Sequence, residues 1–261
     1  MPILHLRVHL DAITERLHNT RSLDLASDFD GTLSPIVEYP SSAAIDPGAL
    51  AALRRIARTR HARVAVVSGR PLVQVRKLVP LRGIALAGNS GIEISRAIPV
   101  PRTRRTAVLP AGLFEVLVAW AAQFPLAWVE QKGIVLAAHF GRLPHADRVR
   151  FLAGLKRRLA PHAARVQVTN GARSVDLAPR GSDDKGTVVR RWHEAGPKRA
   201  LLIYLGDDAN DLPALAYARR CGGIAIAVGR PLAGAHYLLA DPHEAAAFLA
   251  WLAQVWSALA G

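Results

Sequence analysis

The sequence predicts an α/β fold with an α+β unit inserted into it, and three observations carry that reading. Short runs of Val, Ile, Leu and Ala alternate with longer helical patterns, as in a parallel sheet covered on both faces. Polar turns close those runs: Asp30-Gly31-Thr32, Ser68-Gly69, Gly88-Asn89-Ser90-Gly91 and Gly206-Asp207-Asp208. From about residue 98 to 180 the pattern changes to helix, strand pair, helix and strand pair. The expected architecture is a Rossmann-like parallel-sheet core formed by residues 1–97 and 181–261, with residues 98–180 as an inserted α+β cap domain.

The elements follow in chain order. The opening MPILHLRVHLDAITERL reads as a surface helix, its apolar residues interrupted by charges. Leu23 to Phe29 is the first strand. Pro47 to Arg60 is a helix, with Asp46 as N-cap and Pro47 at its first position. Arg63 to Val67 and Ile84 to Ala87 are the next strands. In the insert, Ala111 to Phe124 and Asp147 to Leu159 read as helices. The strands there are Ala127 to Glu130, Ile134 to Phe140, Arg165 to Thr169 and Ser174 to Ala178, the last two joined by the hairpin signal Asn170-Gly171. Leu201 to Leu205 and Gly223 to Val228 return to the core. Glu244 to Leu259 closes the chain as an amphipathic helix, with Phe248, Leu249, Leu252 and Val255 at helical spacing.

Bulk properties narrow the function classes. At 261 residues, 51% hydrophobic and 21% charged, the chain has globular and not disordered composition. No apolar run reaches the roughly 18 to 20 residues of a membrane span. The closest, Val116 to Val129, contains Gln123 and Pro125. The one cysteine excludes an internal disulfide and a multi-cysteine zinc site. With no secretory signal, a cytoplasmic monomer is expected. The net charge of +14 suits an anionic partner or simply a basic surface. Its densest group, Arg54, Arg55, Arg58, Arg60 and Arg63, reads as the solvated face and end of a helix. No helix-turn-helix, aromatic RNA-binding strand or Cys/His finger is present, so no nucleic-acid partner is expected.

The chemistry sits at the predicted C-terminal ends of strands, where open α/β sheets place their sites. There lie Asp28-Phe29-Asp30-Gly31-Thr32, Ser68, Lys185 in Asp184-Lys185-Gly186-Thr187, and Gly206-Asp207-Asp208-Ala209-Asn210-Asp211. Phosphoryl transfer needs a nucleophile, a hard divalent cation held by carboxylates, and donors around the phosphate oxygens. Asp28 fits the nucleophile, forming an aspartyl phosphate. Asp30 fits the acid that protonates the leaving oxygen and then the base for water. Asp28, the Asp30 carbonyl and Asp207 fit magnesium, with Asp208 and Asp211 in support, while Ser68 and Lys185 fit the phosphate. Only five residues are lysines, so a lysine inside an acidic loop stands out. His139, ending a cap strand, reads as a structural or solvent-facing residue and Cys221 as packing beside a strand start, and neither has a base partner at recognisable spacing.

These four motifs resemble those of the haloacid dehalogenase superfamily, whose second aspartate, here Asp30, marks phosphatases and phosphomutases. The whole chain is more narrowly similar to the trehalose-6-phosphate phosphatases. The matching segments are DFDGTLSPIV, VVSGR, LAGNSGIE, VEQKGIVLAAHF, DKGT, YLGDDANDLPAL and GIAIAVG, which span core and insert. The resemblance implies a C2-type cap that closes over the disaccharide and carries sugar-binding Glu130, Lys132 and Asp176. It also assigns Thr32, Gly69, Arg70, Asn89 and Asn210 to substrate binding. Three departures stand out: Ser90 where the family usually has histidine, Asp176 where it has glutamate, and Ala209-Asn210-Asp211-Leu212 for Thr-Asp-Glu-Asp. They leave open another sugar or glycosyl phosphate as substrate. A sugar phosphomutase and a non-catalytic anion binder are the remaining alternatives.

Overall fold

A computed structural model of the chain describes residues 4–38, 40–99, 108–171 and 173–260. The first three residues of the expected N-terminal helix, and residues 100–107 at the start of the expected cap, lie outside them. The chain divides into two compact units, Met1–Pro99 with Asp183–Gly261, and Val100–Ser182.

The first unit begins with β1 (Leu4–His5), α1 (Leu10–His18), β2 (Leu23–Ser27), α2 (Pro47–Arg58), β3 (Ala62–Val67), α3 (Leu72–Leu78), β4 (Ala85–Gly88) and β5 (Glu93–Ile94). The second holds α4 (Leu113–Ala121), β6 (Trp128–Lys132), β7 (Val135–His139), α5 (His145–Leu159), β8 (Val166–Asn170) and β9 (Ser174–Pro179). The chain then returns to the first unit with α6 (Lys185–Glu194), β10 (Leu201–Gly206), α7 (Leu212–Arg220), β11 (Ile224–Val228), β12 (Tyr237–Leu239) and α8 (Pro242–Ala260).

The large sheet runs β1-β12-β11-β10-β2-β3-β4-β5 and is parallel except for the β4–β5 pair. Side chains alternate between its faces, so one strand feeds two cores. Leu23, Leu25, Val64, Val66, Ile203 and Leu205 pack on the side of α1, α2, α3 and α8. Ala26, Ala65, Val67, Leu202 and Tyr204 pack on the side of α6 and α7. The centre pair, β2 and β10, aligns Ser27 with Leu205, and the ladder continues one step as the Asp28 amide donates to the Leu205 carbonyl at 2.9 Å. That register brings Asp28 and Asp207 side by side at the sheet's C-terminal edge.

Helix α2 starts as its sequence dictates: Asp46 Oδ1 accepts the Ala49 amide at 3.0 Å, and Pro47 opens the first turn. It buries Ala49, Ala52, Leu53 and Ile56, a helical stripe packed against α8. The N-terminal segment departs from the expected helix. Leu4–His5 adds a strand to the sheet edge beside Tyr237–Leu238, and helix proper begins only at Leu10. Cys221 is exposed at the end of α7 instead of packed, its Sγ donating to the Ala218 carbonyl at 3.3 Å.

Arg63 lies in the strand expected for it, β3, but its side chain pairs inward and is not part of a solvated face. Its guanidinium Nε donates to fully buried Asp24 on β2 at 2.8 Å while stacking over Trp192 at 4.6 Å. The same carboxylate accepts His193 Nδ1 at 2.7 Å. That hydrogen bond raises the His193 pKa to about 9. A histidine raised above its unfolded value contributes stability that is complete below about pH 6.5 and lost as pH climbs through the folded value. Wild-type stability should therefore fall between about pH 7 and 9. Asp24→Asn should cost about 3 kcal/mol in urea unfolding, the low end for a buried pair because Arg63 reaches solvent, and should flatten that decline.

The second unit is an antiparallel sheet ordered β6-β7-β9-β8, with α4 and α5 on one face. Leu117, Phe124, Leu136, Phe151, Leu155 and Leu177 form its apolar core. Gly154 is required there: a Cβ would stand 2.0 Å from the Trp120 ring. The opposite face carries the charged side chains Glu130, Lys132 and Asp176 beside Trp128, His139, Val135 and Ala137.

Candidate active site

Asp28 follows β2 directly, and the chain then reverses in a tight loop in which the Phe29 carbonyl accepts the Leu33 and Ser34 amides at 2.9 and 3.0 Å. The reversal needs glycine at 31. Its φ is +78°, and a Cβ there would lie 2.1 Å from Asp207 Oδ2. On the neighbouring strand, Gly206 is excluded from bearing a side chain by Asp211, whose carboxyl carbon would stand 2.4 Å away. Two acidic loops thus approach at backbone distance.

Asp28, Asp207 and Asp211 offer carboxylate oxygens within 4.8 Å of one another, and they are the group of potential metal ligands among the described residues. Lys185, fully buried at the start of α6, bridges Asp28 Oδ1 and Asp211 Oδ1 at 2.8 Å each. Asp184 fixes that helix start by accepting the Thr187 amide at 2.7 Å. Burial pushes the Asp28 carboxyl well above the usual carboxylate range, opposed by Lys185 and reinforced by Asp211 and Asp207. Asp207 is pushed up to about 7, again by burial first and Asp211 next. For Lys185 burial opposes the charge, but Asp211 and Asp28 outweigh it and hold the ammonium well above its ordinary value. One ammonium does not balance three carboxylates. The set is oxygen-only and hard, which suits a divalent cation of the magnesium type.

The remaining predicted residues divide. Ser68 is buried at the end of β3, its Oγ accepting the Arg70 amide at 3.1 Å, and Gly69 lies between them. Arg70 grips Asp30 with both forks, Nε to Oδ2 and Nη2 to Oδ1 at 2.7 Å each. Asn89 donates to Glu93 Oε1 at 2.8 Å, and Glu93 also accepts the Leu72 amide at 2.7 Å. Thr32 Oγ1 and Asn210 Oδ1 are buried and lack a hydrogen-bond partner among the described residues. Such orphans are rare unless something else binds them. Asp208 stands apart from the acidic trio: its carboxylate holds Arg230 and caps the turn at Asp211. Asp211 is itself occupied, accepting Tyr204 Oη at 2.6 Å and the Asp207 and Asp208 amides at 3.2 and 3.1 Å. It shapes the loop as much as it adds charge.

In the second unit, Glu130, Lys132 and Asp176 lie on the sheet face away from α4 and α5. Lys132 Nζ sits 3.9 Å from Glu130 and 3.8 Å from Asp176. His139, for which sequence spacing shows no base partner, has a carboxylate one: Nε2 is 2.9 Å from Glu130 Oε2. The antiparallel register pairs Trp128 with His139 and Glu130 with Ala137, so residues nine apart in sequence become diagonal neighbours. Sequence reasoning also passed over Tyr204, Glu93 and Arg230. Tyr204 reads as core, and only the fold aims its hydroxyl at Asp211.

The trehalose-phosphatase family model matches residues 26–226. A trehalose-phosphate phosphatase of Mycobacterium marinum is 35% identical over 249 residues, covering 89% of this chain and 62% of that protein. An uncharacterized glycosyl hydrolase of Mycobacterium tuberculosis is 36% identical over 257 residues, covering 92% of this chain and 19% of its own length. The chain thus spans less than two thirds of either relative. The C-terminal domain of trehalose-6-phosphate phosphatase from C. albicans superposes with a TM-score of 0.81 at 20% identity, covering 97% of this chain and 98% of that domain. No described helix is long and apolar enough to cross a membrane. The chain belongs to the trehalose-phosphatase family.

Proposed function

We propose that this chain is a phosphatase that hydrolyses trehalose 6-phosphate to trehalose and phosphate through an aspartyl phosphate on Asp28. The observation that carries the reading is the buried trio Asp28, Asp207 and Asp211 bridged by Lys185. Asp28 Oδ attacks phosphorus while the sugar oxygen leaves with a proton from Asp30. Water then attacks the phosphorus, giving its proton to Asp30, and Asp28 is regenerated as phosphate departs. Both Asp30 oxygens are engaged by Arg70, so the guanidinium has to let go before Asp30 carries a proton. An arriving phosphate is the competing anion that draws it away. Ser68, Lys185 and Thr32, with the side-chain amide N–H of Asn210, donate hydrogen bonds to the phosphoryl oxygens, alongside Gly69 and Asn89. Asp28, the Asp30 carbonyl and Asp207 would hold magnesium, with Asp208 and Asp211 keeping the loop in place. When bound, that ion supplies neutralisation of the phosphate oxygens. Glu130, Lys132 and Asp176 offer two acceptors and a donor to sugar hydroxyls.

The test is phosphate release from trehalose 6-phosphate, glucose 6-phosphate, glucosyl phosphoglycerate and a nucleotide, with magnesium and with a chelator. The expected result is magnesium-dependent release with trehalose 6-phosphate preferred by at least about 4 kcal/mol in kcat/KM, roughly 10³-fold. Release from another substrate instead keeps the chemistry and overturns the sugar. No release from any of them overturns the proposal.

A further inference from the structure

The sheet face that bears Glu130, Lys132 and Asp176 carries one feature that the phosphatase chemistry leaves unused. Trp128 is a large apolar side chain left 39% exposed. Its indole lies parallel to the His139 imidazole, with ring centroids 4.5 Å apart and planes 13° from parallel. His139 is fixed in turn by Glu130, 2.9 Å from its Nε2. The alternation of β6 sets Trp128, Glu130 and Lys132 on one face. Among the described residues strand β6 is an edge of its sheet, and the indole, with one face against the imidazole, keeps solvent-exposed surface besides.

We propose that Trp128, backed by His139, is a saccharide-stacking residue, its exposed indole surface taking the C–H face of a pyranose ring whose hydroxyls reach Glu130 and Lys132. This rests on the sugar-phosphate reading above and extends it to a residue that chooses the sugar. Pyranose rings are amphipathic. Their equatorial hydroxyls need charged or amide partners, and their axial C–H faces need a flat apolar surface. Carboxylates and an ammonium beside an exposed aromatic plane meet both needs. The competing role is a cross-strand aromatic pair that only stiffens the hairpin, a contribution of about 1 kcal/mol or less. That role makes no use of the exposed indole surface or of the charged groups beside it.

Two measurements test the proposal. Trp128→Ala should raise KM for the preferred sugar phosphate roughly tenfold, and Trp128→Phe should bring it back to within about threefold of wild type. An aryl phosphate, which has no pyranose, should show a KM change below about twofold. Equal KM changes for both substrates would overturn the proposal in favour of a structural pair. The second readout needs no turnover. Protein labelled with 5-fluorotryptophan has five indole resonances, and Trp128→Phe identifies the relevant one. Titration with unphosphorylated trehalose, and with maltose and sucrose, should shift that resonance saturably with at least one of them. A static resonance with all three overturns the proposal. A shift without hydrolysis of trehalose 6-phosphate leaves stacking intact and rejects only the assigned phosphatase substrate.

Discussion

Asp28→Asn is expected to abolish phosphate release, by about 10⁴-fold or more, while leaving the protein folded and at least as stable as wild type in the absence of metal. The kinetic part follows from the role: an amide of nearly the same shape fills the same space and has no anionic oxygen to attack phosphorus. The stability part follows from the electrostatics. Burial, Asp211 and Asp207 raise the Asp28 pKa despite Lys185 at 2.8 Å. A carboxyl with a folded pKa above its unfolded one makes the folded state pay more for ionisation, so stability is lost as pH rises past the unfolded value. A neutral amide removes that penalty. Thermal unfolding at pH 7 to 8 and a coupled phosphate assay check both halves. An inactive variant that is also unfolded would leave the catalytic assignment without support, and a variant with more than a tenth of wild-type turnover would sink it. The same variant separates the rival readings: an anion binder keeps its salt-sensitive affinity, whereas a phosphatase loses its turnover.

Much of this site was legible because its parts are local. Asp28 and Asp30, Ser68 to Arg70, and Gly206 to Asp211 are short stretches placed at strand ends by hydrophobic runs, and a parallel sheet brings strand ends together. The identity of a strand was easier to read than its limit. The first strand stops at Ser27 and not Phe29, since Phe29 must turn to accept two amides through its carbonyl. Two helices, α3 and α7, are short and follow their turns closely, leaving little periodic pattern to read. What stayed illegible is pairwise and distant. Asp24 with Arg63 and His193, separated by 39 and 169 residues, exists only once β2, β3 and α6 are packed. Arg230 on Asp208 and Tyr204 on Asp211 are of the same kind. The His139–Glu130 contact depends on the register of one hairpin, and a one-residue slip would place the two on opposite faces.

Lys185→Met should damage both fold and function, where Asp28→Asn damages function alone. Lys185 is fully buried, and its two ion pairs are the cationic balance for Asp28 and Asp211. Methionine fills similar volume without charge, so packing is largely kept and the loss is electrostatic. Removing one side of a buried network leaves charges with no partner, a cost of about 3–5 kcal/mol. Folded-state carboxyl pKa values should rise further, so the deficit should shrink as pH is lowered from 8 toward 5.5, because protonation relieves the repulsion. Lys185→Met/Asp211→Asn should recover at least half of the lost stability, since the amide at 211 can still accept from Tyr204. Turnover should not return, because the phosphate has lost its ammonium. Urea unfolding of the two variants at both pH values, beside their phosphate release, reads out the whole set. A single variant as stable as wild type, or a double variant no more stable than the single, would mean that Lys185 is not what keeps these carboxylates together.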